Sequence, residues 1–162
     1  MQDQFTFEQV DGAVSYDAAT GLFSWKAGNR RARAGTHAGG SAGQGYLCLS
    51  IGGVRCKAHR AAWLLTHGGW PEGVIDHING IRSDNRLENL RAVSAATNRE
   101  NQQRVRSDSS TGFLGVIKAG NRYRACIRSE GRHIYFGTFD EPEAAHAAYL
   151  AGKRIHHSGF AG

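Results

Sequence analysis

The chain has 162 residues, with 20 Lys or Arg against 14 Asp or Glu, a formal charge of +6. That length suits one ordinary domain or two small ones with thin cores. Cys48, Cys56 and Cys126 form no CxxC pair, which speaks against a disulfide framework or a four-ligand zinc site. No apolar run approaches the roughly 20 residues that span a bilayer, and the opening MQDQFTFEQV lacks the basic-then-apolar layout of a secretory signal. A reducing, cytoplasmic setting with no membrane partner is expected.

The positive excess sits at the ends. Six basic residues face four acidic ones before Ala58, five face five from Ala58 to Gln103, and nine face five from Arg104 onward. Phosphodiesters call for Lys and Arg on outer surfaces, whereas a bound cation calls for carboxylates and amides, so the distribution fits nucleic acid better than membrane.

Residues 12–57 read as β-rich, with strands at Val14–Tyr16, Leu22–Trp25, Tyr46–Ile51 and Val54–Lys57. The Gly52-Gly53 pair between the last two is a hairpin signal. The intervening AGNRRARAGTHAGGSAGQG reads as a loop, whose Arg30, Arg31 and Arg33 either touch phosphate or form a solvated basic segment. HRAAWLLTH, His59–His67, has helical spacing at Ala62, Trp63 and Leu65 and stops at Gly68-Gly69. Val74–Asp76 predicts a strand, Asn79-Gly80 a turn, Arg91–Val93 a returning strand, and Ser94 the cap of a helix reaching about Gln103. RVRSDSSTG, residues 104–112, is a polar linker.

Beyond it, Phe113–Lys118, Arg122–Arg128 and His133–Phe136 predict three strands. Asp140 is the expected cap, with Glu143, of a helix from about Glu141 to His156, whose Ala144, Ala145, Ala148, Tyr149 and Ile155 form an apolar stripe. In the second strand Arg122, Arg124, Cys126 and Arg128 share one face, and Tyr123, Ala125 and Ile127 the other. His133 and Tyr135 extend the arginine face, and such a face suits the major groove of duplex DNA.

The most informative segment is IDHINGIRSDNRLENLRAVSAATNREN, where Asp76-His77 ends a predicted strand and Asn98 lies on the following helix. An acid and an amide from facing elements can hold a hard cation through oxygen. Neighbouring strand residues point to opposite faces, so Asp76 can face the helix while His77 faces a groove. A neutral imidazole with an unperturbed pKa of about 6.5 suits proton abstraction from water. His59, opening an apolar helix, reads as a packing residue and is left out of the catalytic set. Asn85 reads as a turn residue, and Asn101 competes with Asn98 one turn further along the helix.

HR followed by AAWLL, WPEGVIDHING, SDNRLENL and TNREN resembles the HNH homing-type endonucleases of phages over roughly His59–Asn101. The resemblance implies a ββα-metal finger with Asp76 and Asn98 as metal ligands, His77 as general base and Asn89 bracing the loop that carries it. It also implies one divalent cation, Mg²⁺ or Mn²⁺. Asp76 stands where the family usually has its first histidine, which keeps oxygen ligation plausible and makes zinc less suitable.

Over about Thr111–Ala161, FLGV, YRACIR, YFGTF, EAAHAAY and the closing GFA resemble the APETALA-type or ethylene-response-factor DNA-binding domain. That resemblance puts Arg124, Arg128, His133 and Tyr135 at DNA-contacting positions. Leu114, Cys126 and Tyr135 depart from the plant pattern, so its target sequence does not carry over.

The expected fold class is α+β: a β-rich start leading into a ββα-metal core, then a three-stranded antiparallel sheet on one helix. The expected division is a nuclease domain over 1–103, a linker over 104–112 and a DNA-binding domain over 113–162. The expected function is nicking of double-stranded DNA by a monomer in a bacterial or phage-infected cell, with no small-molecule cofactor. The alternative is a catalytically inert DNA-binding regulator; an RNA-directed nuclease fits the arginine face less well.

Overall fold

The computed structural model describes residues 5–27, 33–100, 105, 109–129 and 131–157. The fold is α+β, and the chain divides into two compact units, residues 1–95 and 96–162.

The first unit opens with α1 (Phe7–Ala13), a helix that the strand-oriented reading of the N-terminus does not contain. Its start is a capping box: Thr6 accepts from the Gln9 amide while the Gln9 side chain accepts from the Thr6 amide. β1 (Val14–Asp17) and β2 (Leu22–Trp25) pair antiparallel. β3 (Gly40–Ser41) forms inside the glycine-rich stretch expected to be loop and pairs with β4 (Leu47–Ile51), which pairs in turn with β5 (Val54–Lys57). Between them Gly52 and Gly53 have φ of 58° and 87°, as a two-residue primed turn requires.

α2 (Ala58–His67) follows directly and ends at left-handed Gly68, whose amide donates to the Leu64 carbonyl. Its buried stripe is Ala58, Ala61, Ala62 and Leu64, with Trp63 and Leu65 only partly covered. This stripe packs with Val10, Val14, Phe23, Leu49, Ile75 and Leu90 in one core. Leu49 and Leu64 are essentially inaccessible, and burial of each contributes about 1.5–3 kcal/mol. β6 (Val74–His77) and β7 (Leu90–Val93) pair antiparallel around a loop that ends in a 3-10 turn, Leu87–Asn89. Ile75 and Leu90 anchor this hairpin in the core.

α3 (Ala95–Glu100) begins at the division between the units, and the second unit continues with β8 (Val116–Ala119), β9 (Arg122–Ser129) and β10 (Arg132–Phe139), an antiparallel sheet with β9 in the centre. The expected first strand begins three residues late. Thr111 Oγ1 bonds both the Phe113 amide and the Val116 carbonyl, holding Phe113–Gly115 in a turn. Gly115 has φ of 71°, and a Cβ there would lie 1.9 Å from the Tyr149 ring, so only glycine fits.

α4 (Pro142–His156) starts with Glu141 at its cap and no side-chain capping bond. The expected Asp140 cap is diverted into an ion pair with Arg122 at 2.7 Å, while Pro142 sets the first helical φ. The buried stripe is Ala145, Tyr149, Gly152 and Lys153; Ala144 is exposed and Ile155 is 79% exposed, so the predicted stripe is off by part of a turn at both ends. Ala145 and Tyr149 pack with Val116, Ala125 and Ile127, and with partly covered Tyr123, Ile134 and Phe136. Among the described residues no helix is long and apolar enough to cross a membrane.

Candidate active site

The β6–β7 register places Asp76 opposite Arg91 and His77 opposite Leu90. Asp76 is buried at 6% exposure, and its Oδ2 accepts from Arg91 Nη2 at 2.9 Å and Nε at 3.1 Å. This cross-strand pair meets the charge of a carboxylate that burial alone would strongly disfavour. Arg91 has no role in the sequence reading, because only the strand register brings it to Asp76.

His77 is 4% exposed, so its ring is enclosed rather than open to a groove. His59 lies edge-on to it with ring centres 5.1 Å apart, and Tyr46 lies 6.0 Å away. His77 Nε2 meets Asn85 Oδ1 at 3.2 Å. With Oδ1 as the acceptor, the Asn85 bond is made by a ring hydrogen on Nε2. Burial pushes the His77 pKa down, opposed by the Asn85 bond and by Asp76 and Asp84, with Arg82 adding to the lowering. Burial thus favours the neutral imidazole over the charged ring.

Asn85, read from the sequence as a turn residue, is thus the partner of the candidate base. It is 1% exposed, and its position is fixed from the N-terminal hairpin. Its backbone oxygen accepts from the Tyr16 hydroxyl at 2.8 Å, and the Leu87 amide donates to the Ala18 carbonyl at 3.0 Å. Gly21 permits this approach, because a Cβ there would fall 2.5 Å from the Arg86 nitrogen.

Asn89 closes the loop after His77. Its Oδ1 accepts from the Asn79 amide at 2.9 Å, its Nδ2 donates to the Asp84 carbonyl at 2.8 Å, and its backbone oxygen accepts from the Ile78 amide. Asp84 is gripped by Arg86, which holds its pKa down at about 2. The Asn79-Gly80 turn forms as expected, with Gly80 at φ 70°. Residues 56–102 match the HNH endonuclease family. The HNH segment covers less than a third of the chain and contains His59, Asp76, His77, Asn89 and Asn98. No curated protein and no solved structure matches the chain significantly.

Asp76, His77, Asn85 and Asn89 are brought together within the first unit. Asn98 is half-buried in α3 and belongs to the second unit, although the HNH segment runs across that division. Its competitor Asn101 lies outside the described residues, as do Arg30, Arg31 and the closing GFA; Arg33 is exposed. His59 is buried on α2, with a pKa pushed down to about 3 by burial first and then by His77, Lys57 and Arg60.

Outside the HNH segment, Arg122, Arg124 and Arg128 are all exposed on β9. Cys126 alternates with them yet is only 7% exposed on the central strand. Register sets His133 opposite Arg128 and Tyr135 opposite Cys126. The Arg124 guanidinium lies 5.5 Å from the Tyr135 ring, and the His133 and Tyr135 rings stack at 6.3 Å. Arg122 is committed to Asp140 and to the Thr138 carbonyl, which sets it apart from the other two arginines.

Proposed function

We propose that the chain is a divalent-metal-dependent DNA endonuclease of the HNH type that nicks duplex DNA. The observation that carries the reading is the buried His77, tied through Nε2 to Asn85 and adjacent to the Asp76 carboxylate, within the segment that matches HNH endonucleases. His77 takes the proton of the attacking water at Nδ1. Asn85 fixes the plane and tautomer of its ring, and Asn89 fixes the loop behind it.

The donor chemistry of Asp76 and Asn98, one carboxylate and one amide oxygen, fits a hard cation such as Mg²⁺ or Mn²⁺ that keeps several waters. When bound, that ion supplies charge neutralisation at the scissile phosphate and at the leaving oxygen. Residues 1–103 form the cutting domain and 113–162 the DNA-holding domain, joined by 104–112. Arg124 and Arg128 meet phosphate or guanine edges, with His133 and Tyr135 beside them and Arg122 at the rim. One His77 per monomer cuts one strand, and a mobile-element or phage setting in a bacterial cytoplasm fits such an enzyme.

The competing reading, an inert DNA-binding regulator, is favoured by the hold of Arg91 on Asp76 and by the enclosure of His77. Incubating supercoiled plasmid with Mg²⁺ or Mn²⁺, and in parallel with chelator, separates the two. Nicked circles formed with metal and not with chelator support the endonuclease; intact plasmid under every ion, with retained DNA binding, supports the regulator. Calorimetric Mn²⁺ titration should show weaker affinity in both Asp76→Ala and Asn98→Ala.

A further inference from the structure

Tyr46 gathers two cations beside the candidate active site. Its ring centre is 5.3 Å from that of His59 and 6.0 Å from that of His77. The Lys57 Nζ and the Arg82 guanidinium carbon each lie 4.8 Å from the same ring centre. Arg82 is held further by a bond from Nη1 to the Gln44 carbonyl at 3.1 Å. Lys57 is exposed and Arg82 half-buried, so the cluster faces solvent on one side.

Arg86 is paired with Asp84 and Glu88, and Arg91 with Asp76. Among the described residues no ion pair engages Lys57 or Arg82. The face of Tyr46 attracts each cation by about 0.5–1 kcal/mol at such a site but neutralises neither. Two like charges held on one ring are stabilised by an anion that both can reach. Lys57 also occupies the cap position of α2, where an acceptor side chain would ordinarily meet the first amides; lysine is a donor only, and no side-chain cap bond forms.

We infer that Lys57 and Arg82, splinted by Tyr46, are a clamp for the phosphodiester backbone of the DNA substrate beside His77. The inference rests on the endonuclease reading for its substrate. Arg82 offers a planar fork and Lys57 a mobile point charge, two complementary ways to hold phosphate oxygens. By neutralising backbone charge next to the base, the pair steers the strand to His77 without taking part in proton transfer.

The test is binding of the full chain to a labelled random-sequence DNA duplex in chelator, so that nothing is cut, with affinity followed across a salt series. Each phosphate contact contributes about 0.9 to the slope of log affinity against log salt. Lys57→Ala and Arg82→Gln should each lower that slope by about one, and the double variant by about two, with Lys57→Arg retaining it. Arg82→Gln keeps a donor for the Gln44 carbonyl, so the fold has no reason to change; Tyr46→Phe keeps the ring face and the slope. In plasmid nicking the same variants should raise KM several-fold more than they lower kcat. Wild-type slopes and affinities in folded Lys57→Ala and Arg82→Gln overturn the clamp. Because the binding arm needs no cleavage, a wild-type chain that nicks nothing overturns the endonuclease reading separately.

Discussion

Asn85→Ala deletes the carboxamide that meets His77 Nε2 at 3.2 Å. Asn85 is 1% exposed and His77 4%, so bulk water cannot take over the bond. A buried donor left unpaired costs about 1–3 kcal/mol. The ring can recover part of this only by turning, which carries Nδ1 off the direction in which it accepts a proton. At about 1.4 kcal/mol per factor of ten, the misorientation corresponds to roughly a 10- to 100-fold loss in kcat. The backbone of Asn85 remains anchored by the Tyr16 hydroxyl, so the loop should stay folded. The assay is plasmid nicking under single-turnover conditions at saturating metal, with a melting curve for each variant. Asn85→Asp, which keeps an acceptor of the same shape, should recover most of the rate. A folded Asn85→Ala with wild-type kcat would refute the argument that this bond orients the base.

Three further outcomes follow from the packing and charge of the two units. Gly115→Ala combines a positive φ with a Cβ 1.9 Å from Tyr149, and should destabilise the second unit by about 2–4 kcal/mol in chemical denaturation; an unchanged midpoint contradicts the close contact. Arg91→Ala strips the guanidinium from a carboxylate whose side chain is 8% exposed, and should cost about 1–3 kcal/mol, with Mn²⁺ restoring more stability than it adds to wild type; equal Mn²⁺ effects in both chains count against Asp76 as a ligand. Burial pushes the Lys153 ammonium from 10.5 down to about 8, so between those pH values the unfolded chain binds more protons and stability rises with pH. Lys153→Met should lose that rise and be the more stable chain below pH 8, and parallel denaturation profiles across the window would refute it.

Local chemistry was legible where a residue's conformation depends on its immediate neighbours. Gly52-Gly53 and Asn79-Gly80 form the turns their φ preferences allow, and the alternation along β9 sorts Arg122, Arg124 and Arg128 from Tyr123, Ala125 and Ile127. The Thr6–Gln9 capping box was equally local and marks a helix that the β-rich reading passed over. Asp140 had the right chemistry for a cap, but its carboxylate is engaged instead by Arg122 of the neighbouring strand. The partners of the Asp-His pair were not readable from spacing. Arg91 reaches Asp76 only through the register of β6 on β7, and Asn85 reaches His77 only because the loop folds back and is fastened to Tyr16, 69 residues away in the chain. Lys57, Arg82 and Tyr46 likewise come together from three separate elements.

The central claim is that His77 is the base of a metal-dependent cut. The most direct measurement is the rate of nicked-circle formation from supercoiled plasmid by wild type and His77→Ala at saturating Mn²⁺, alongside the affinity of both for a labelled duplex in chelator. General-base removal should lower the rate by about 10²- to 10⁴-fold while DNA affinity stays within a factor of two or so. Nicking by His77→Ala at the wild-type rate, with equal affinity, would contradict the claim.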